Sequence, residues 1–184
     1  MVALSCHIPK IKHPKLTHEV YVESFKEGWG IVSALNETEN ICSVFTHAGN
    51  DILPKLKEAS QWKSALAETT YLKDFLTENT TAKIKGGNAN SSVANQLAGI
   101  NWLALGDAAM SFDPLSSHGI TNAMYTSAKA ADTIEKKLLE ADTEAFPEYA
   151  ETLQSIFKQY LQSKNQLYQQ EMRWKDAEFW ERFF

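Results

Sequence analysis

Along the first fifty residues apolar and polar side chains alternate, and towards the end of the chain apolar ones recur at three- and four-residue steps. Short strands are therefore expected first and long helices last. Residues 2–8 read as a strand, and Pro9, Lys10, Lys12, Pro14 and Lys15 then form a loop that cannot be a central strand. In residues 18–25, Tyr21, Glu23 and Phe25 alternate with Val20, Val22 and Ser24, the period of a sheet with two faces. Glu27-Gly28 turns the chain into a strand over 29–35. A polar turn over 36–40 leads to another strand over 41–47, and two tight connections in succession imply antiparallel pairing.

Helices are expected over 51–59 and 60–76, capped by Asp51 and Ser60, with Leu53, Leu56, Trp62, Leu66, Leu72, Phe75 and Leu76 as their apolar set. Trp62 and Tyr71 read either as core or as a binding wall. A short strand over 80–85 and a Gly/Asn/Ser loop over 86–92 follow. The apolar run 102–105, bounded by Gly106, reads as a buried strand ending at a turn. From Gly119 onward Ile120, Met124, Ser127, Ala131, Ile134 and Leu138 mark one face of a helix, which ends in the solvated residues Glu135, Lys136 and Lys137. Asp142 and Thr143 open the next helix, with Pro147 in its first turn and an apolar side of Tyr149, Leu153, Ile156, Phe157, Tyr160, Leu161, Leu167 and Tyr168. The tail holds Met172, Trp174, Phe179, Trp180, Phe183 and Phe184, which pack onto the body or onto a partner.

Between strand and helix lies a loop whose chemistry favours an anion or an electron-rich ring. Pro114 cannot sit within a helix, and Ser116 or Ser117 is placed to cap one. The amides from His118 to Ile120 then point out of a helix start, where unpaired N–H groups carry roughly half a positive charge. Gly119 presents no side chain to close approach. Asp107, just past the strand, is an acceptor at the carboxyl edge of a sheet, where open α/β folds bind ligands.

Composition narrows the function classes. With 184 residues and 43% apolar side chains, the chain is long enough for a core. A net charge of −5 without a Lys/Arg cluster argues against a nucleic-acid surface. Cys6 and Cys42 lie in strand-like runs and form no CxxC pair, so buried reduced thiols are expected. Neither a signal peptide nor a bilayer-crossing run is seen, so a cytoplasmic location without membrane contact is expected. His7, His13, His18, His47 and His118 provide no nucleophile setting and, with the cysteines, no zinc-ligand spacing; no catalytic or metal residue is assigned.

Gly106-Asp107-Ala108-Ala109, Phe112-Asp113-Pro114-Leu115-Ser116-Ser117 and Gly119-Ile120 together resemble the second flavin-binding motif of FAD-dependent oxidoreductases of the aromatic-hydroxylase and tryptophan-halogenase superfamily. The likeness is to the halogenase-like branch, which includes flavoproteins that modify amino-acid side chains or protein substrates. It implies that Asp107 bonds the ribityl chain of FAD, that Pro114 lies beside the isoalloxazine, and that Gly119 and Ile120 face its pyrimidine edge. The helix start would then stabilise the negative charge of reduced flavin. The implied cofactor-binding set is Gly106, Asp107, Pro114, Leu115, Ser116, Ser117, His118, Gly119 and Ile120. His118 stands where relatives commonly carry glutamine or serine, and it either tunes the flavin or faces solvent. Ser91 and Ser92 either approach the ring or sit in plain loop.

Two departures qualify the resemblance. No Gly-x-Gly-x-x-Gly turn occurs among the glycines. The chain therefore looks like the C-terminal portion of a larger flavoprotein, either shortened or one product of a split gene, and by itself is expected to hold FAD weakly or not at all. Halogenases continue the sheet as Trp-x-Trp-x-Ile-Pro, whereas Gly28-Trp29-Gly30-Ile31-Val32-Ser33 lacks the second tryptophan and the proline. Trp29 itself reads as core or substrate contact. The expected fold is mixed α/β: part of a flavin-binding α/β unit, an antiparallel substrate-domain sheet and a helical C-terminus. Residues 1–80 would belong to the substrate sheet, 81–140 to the FAD-binding domain and 141–184 to a helical tail. The implied function is an FAD-dependent monooxygenase or halogenase-like oxidoreductase with a small-molecule or amino-acid-type substrate and a separate N-terminal FAD-binding half as partner. The alternative is a non-catalytic binding or assembly module that kept the fold. Exposed edges of a partial sheet would invite self-association.

Overall fold

The computed structural model describes residues 1–11, 20–77 and 83–184. The loop residues Lys12, Pro14 and Lys15, the start of the strand expected at 18 and part of that expected over 80–85 lie outside the described residues. Two compact units form, residues 1–89 with 168–184, and residues 90–167.

The first unit is built on strands β1 (Val2–Pro9), β2 (Val20–Phe25), β3 (Gly28–Ala34), β4 (Glu39–Thr46) and β5 (Lys85–Asn88). They form one antiparallel sheet in the order β2-β3-β4-β1-β5. The hairpins β2-β3-β4 follow the turns that the sequence marks. Insertion of β1 between β4 and β5 is a long-range choice that local periodicity does not encode. The Lys26-Glu27 turn requires Gly28, because a Cβ there would sit 2.0 Å from the Phe45 carbonyl oxygen. β5 falls in the stretch read as a loop: Gly86 and Gly87 pair with Leu4 and Ala3, so backbone pairing alone makes a strand of residues with little β-propensity.

Register puts Tyr21, Val32, Cys42 and Cys6 in line across one face, where Leu4, Ile8, Phe25 and Val44 join the core. That face is covered by Leu56, Trp62, Leu66, Leu72 and Phe75. The expected apolar set is therefore right, but the two continuous helices are not. The segment contains α1 (Leu53–Leu56), a 3₁₀ turn at Ala59–Gln61, α2 (Trp62–Ala65) and a 3₁₀ turn at Leu72–Phe75. Side-chain acceptors take amides that a continuous helix would use internally. The Glu23 carboxylate accepts from the amides of Thr70, Tyr71 (2.8 Å) and Leu72 (3.2 Å), and Thr69 Oγ1 accepts from Lys73 N (3.0 Å). Neither Asp51 nor Ser60 caps; Asn50 Oδ1 accepts from Ile52 N at 3.0 Å instead.

On the other face Trp29 and Phe45 stack at 3.9 Å, and the Trp29 indole donates to the Tyr168 hydroxyl at 2.9 Å. Trp180 donates to the Phe25 carbonyl at 2.8 Å. Thus the aromatic tail packs onto this unit's own body, and Trp29, 3% exposed, is core. Cys6 and Cys42 are both buried free thiols, as expected; burial pushes Cys6 up to about 12 and Cys42 well above the usual thiol range.

The second unit holds the short pair β6 (Ser92–Val93) and β7 (Met110–Ser111), then α3 (Gly119–Leu139) and α4 (Ala145–Tyr168, its last residue counted with the sheet unit). Leu97, Met110, Ala130, Tyr149, Leu153 and Phe157 are its core. One expectation changes here. Residues 102–105 form no buried strand: they make one bridge, Ala98 to Leu103, and Trp102 and Leu105 are 47% and 41% exposed. Helix α3 forms as expected, and its apolar face is the outward one. The inward residues are Asn122, Thr126, Ala130 and Thr133, while Ile120, Met124 and Leu138 are 79%, 70% and 74% exposed. Small and hydrogen-bonding side chains let the helix backbone approach the Gly106 turn closely, a contact that a stripe of Ile, Met and Leu would prevent.

Candidate functional site

The loop from Gly106 to Ile120 is held at both ends by α3. Gly106 adopts φ +56°, the left-handed region that favours glycine. Its amide donates to Thr126 Oγ1 at 2.8 Å, and Thr126 in turn donates to the Asn122 carbonyl at 2.7 Å. The Asn122 side-chain amide donates to the Gly106 and Met110 carbonyls at 3.4 and 3.3 Å. The 3₁₀ turn carrying Asp107 is thereby bonded to the first two turns of the helix that begins at Gly119. Asp107 is exposed.

Asp113 shapes the middle of the loop. Its side chain is buried, and Oδ1 accepts from Leu115 N at 3.0 Å, the cap of the Pro114–Ser116 turn. Its carbonyl accepts from Ser116 N (3.0 Å) and Ser116 Oγ (2.7 Å). Ser117 then takes φ 54°, and Ser116 Oγ accepts from His118 N at 3.3 Å. Neither serine caps α3 by the expected side-chain bond: the N-cap is His118, and Ser116 acts one residue earlier. The amides of Gly119, Ile120 and Thr121 occupy the first turn, whose N–H groups have no partner within the helix. His118, Gly119 and Ile120 are exposed, and nothing lies within 4 Å of a Cβ built on Gly119.

All nine residues of the expected set thus sit on one hydrogen-bonded loop. Gly106 is buried, Leu115 and Ser116 are half-buried, and Asp107, Pro114, Ser117, His118, Gly119 and Ile120 are exposed. Sequence reading missed Asn122, Thr126 and Asp113, which shape that loop. The signal for the first two was present as a polar, small-residue stripe (Asn122, Thr126, Ala130, Thr133) opposite the apolar one. The hydroxyls of Ser91 and Ser92 are taken by Tyr160 (2.6 Å) and Ser111 (2.8 Å).

The sheet unit contains a cleft of about 390 Å³ lined by residues of both charge signs, among them Lys26, Asp51, Lys55, Glu68 and Arg173. No residue of the 106–120 loop lines it. Among the described residues no group of His, Cys, Asp and Glu could hold a metal ion, and no helix is long and apolar enough to cross a membrane.

No family profile matches the chain. It is 30% identical over 176 residues to LodB of Marinomonas mediterranea, described as an FAD-dependent oxidoreductase; the match covers 94% of this chain and 47% of LodB. Among solved structures, the peptidyl tryptophan dihydroxylase QhpG, essential for tryptophylquinone cofactor biogenesis, superposes with a TM-score of 0.78 at 22% identity, over 99% of this chain and 42% of QhpG. The myxobacterial chondrochloren halogenase CndH gives 0.74 at 17% identity, over 99% of this chain and 44% of its own. The chain spans about half the length of these relatives. Over 94% of its length the chain is thus similar in sequence to about half of an FAD-dependent oxidoreductase, and its fold is that of a part of the dihydroxylase QhpG and of the halogenase CndH.

Proposed function

We propose that this chain supplies the ribityl- and isoalloxazine-facing loop of an FAD-dependent oxidoreductase, and that the complete protein acts on an amino-acid side chain of the tryptophan type. One observation carries the reading. The loop is locked from behind by Asn122, Thr126 and Asp113, yet its Asp107 carboxylate, Gly119 and the first-turn amides of α3 are left open. These residues fit the cofactor: Asp107 would accept hydrogen bonds from the sugar-alcohol chain, and Gly119 and Ile120 would direct N–H groups at the electron-rich edge of the ring. FAD, when bound, supplies the electron transfer and oxygen chemistry; the protein orients it and biases its charge. Negative charge at the ring edge is favoured by the helix start by about 0.3–1 kcal/mol in exposed settings and up to about 2 when partly buried.

The likeness to QhpG supports a side-chain substrate, and the break in the halogenase pattern at Gly30-Ile31-Val32-Ser33 weighs against halogenation. The exposed stripe of α3, together with Ile100, Trp102 and Leu105, supports a second half that carries the dinucleotide-binding turn and covers this surface. In the full-length flavoprotein, Asp107→Ala is expected to lower bound flavin per protein at least tenfold under dilute conditions, since a charge-assisted hydrogen bond contributes about 1.5–3 kcal/mol. Absorbance near the flavin band after gel filtration reads the ratio. Unchanged occupancy would overturn the assignment.

A further inference from the structure

Beside the apolar packing of Met110 against helix α4, the middle of the loop meets α4 through polar, connected contacts. Tyr160 Oη accepts a hydrogen bond from the Asp113 amide at 2.6 Å and lies 2.6 Å from Ser91 Oγ. A backbone N–H can only donate, so the phenol oxygen is the acceptor there, while either hydroxyl can donate in the bond to Ser91. Lys164 Nζ, one turn further along α4, donates to Ser91 Oγ at 3.3 Å and stands 3.8 Å from Asp113 Oδ2. The Asp113 side chain is 2% exposed and that of Lys164 17%, so this ion pair is largely withdrawn from water. The ring of Phe112, next to Asp113, meets the Tyr160 ring edge-on at 4.4 Å. From Asp113 the bonds continue outward: Oδ1 to Leu115 N, the carbonyl to Ser116, and Ser116 Oγ to His118 N, the residue that starts α3.

We propose that Tyr160 and Lys164, with Ser91 between them, are positioning residues for the cofactor loop, fixing Asp113 so that the left-handed turn at Ser117 delivers the Gly119 and Ile120 amides in one orientation. The inference rests on the cofactor reading above and deepens it. The segment after Asp113 is short of packing, since Pro114 and residues 117–120 are exposed, so its conformation depends on what grips Asp113 from behind. Asp113 is the gripped residue because its amide, both carboxylate oxygens and its carbonyl are all engaged. Burial raises the Tyr160 phenol above its usual range.

The test uses the full-length flavoprotein and three variants. Tyr160→Phe keeps the ring against Phe112 and removes only the hydroxyl; Lys164→Met removes the charge, and Lys164→Arg restores it. Tyr160→Phe and Lys164→Met are expected to weaken FAD binding roughly tenfold, the effect of leaving one buried donor or charge without its partner. They should also shift the bound-flavin absorption band and speed hydrogen exchange of the Leu115 to Ile120 amides, while Lys164→Arg recovers most of the affinity. A merely structural role would lower the melting temperature and leave the spectrum and the affinity of the folded fraction unchanged, and that result overturns the proposal. If Asp107→Ala strips flavin while Tyr160→Phe and Lys164→Met leave affinity, spectrum and exchange as in wild type, the positioning role fails and the cofactor reading stands. If the wild-type protein takes up no flavin, both fail.

Discussion

The sheet unit buries most of its apolar residues on both faces, whereas the unit carrying the Gly106–Ile120 loop leaves the apolar face of one helix open. In the first, Tyr21, Val32, Cys42 and Val44 meet Trp62, Leu66 and Leu72 on one face, while Trp29 and Phe45 meet the aromatic tail on the other. In the second, α3 turns Asn122, Thr126, Ala130 and Thr133 inward and leaves Ile120, Met124 and Leu138 in water. Apolar residues at helical spacing state that a face will be covered; they do not state by what. Contiguous exposed apolar surface commonly marks an interaction site, which is why this face supports the covering half proposed above.

The contrast can be broken most directly at Trp62, which is fully buried and donates its indole N–H to the Leu56 carbonyl at 2.7 Å. Trp62→Ala should cost about 3–5 kcal/mol, read as a drop in urea midpoint for the sheet signal. A loss below about 1 kcal/mol would mean that this core is not closed. In the other unit Asn122→Ala removes both side-chain bonds to the Gly106 and Met110 carbonyls. It is expected to cost about 1–3 kcal/mol and to loosen the Asp107 turn, seen as faster hydrogen exchange at residues 106–108.

A smaller effect is expected at Glu171. The Arg173 guanidinium beside it, helped by the Ser24 hydroxyl, lowers its carboxyl from 4.5 to about 2. A depressed carboxyl contributes stability that is complete above 4.5 and is lost as pH falls towards 2. Because Arg173 is 62% exposed, solvent screens the pair and holds its worth below about 1 kcal/mol. Glu171→Gln should therefore narrow the stability difference from wild type as pH falls through that window. A difference that stayed constant from pH 6 to pH 2 would contradict the pairing. Least of all is expected from Met124→Ser, which exchanges one solvated side chain for another and should stay within about 0.5 kcal/mol in this chain alone. The same change should weaken association with a covering half, and a large loss of stability in the isolated chain would show that the stripe is already buried.

Several elements were legible in advance because their causes are local. The hairpins β2-β3-β4 follow from two-residue alternation and polar turns, and α3 and α4 follow from helical spacing bounded by Gly119 and by Pro147. The loop from Gly106 to Ile120 was legible in residue type: a carboxylate after a tight turn, a proline that bars helix, and a glycine at a helix start.

Other features depend on partners far away in the chain, and there local reading went astray. Residues 51–76 have helical spacing, but Glu23 captures the amides of Thr70, Tyr71 and Leu72 and divides the segment. Gly86 and Gly87 look like loop, but the free edge of β1 gives them backbone partners. Periodicity located both faces of α3 and could not say which one faces inward, because that depends on which neighbour fits closely at Gly106. By itself the sequence determined the β2-β3-β4 hairpins, the helices α3 and α4, and which side chains stand on the loop, since these depend on forces acting within a few residues. Only the tertiary structure decided the place of β1, the inward face of α3 and the grip of Tyr160 and Lys164 on Asp113, since each is a competition for a hydrogen-bond partner or a packing surface between residues well separated along the chain.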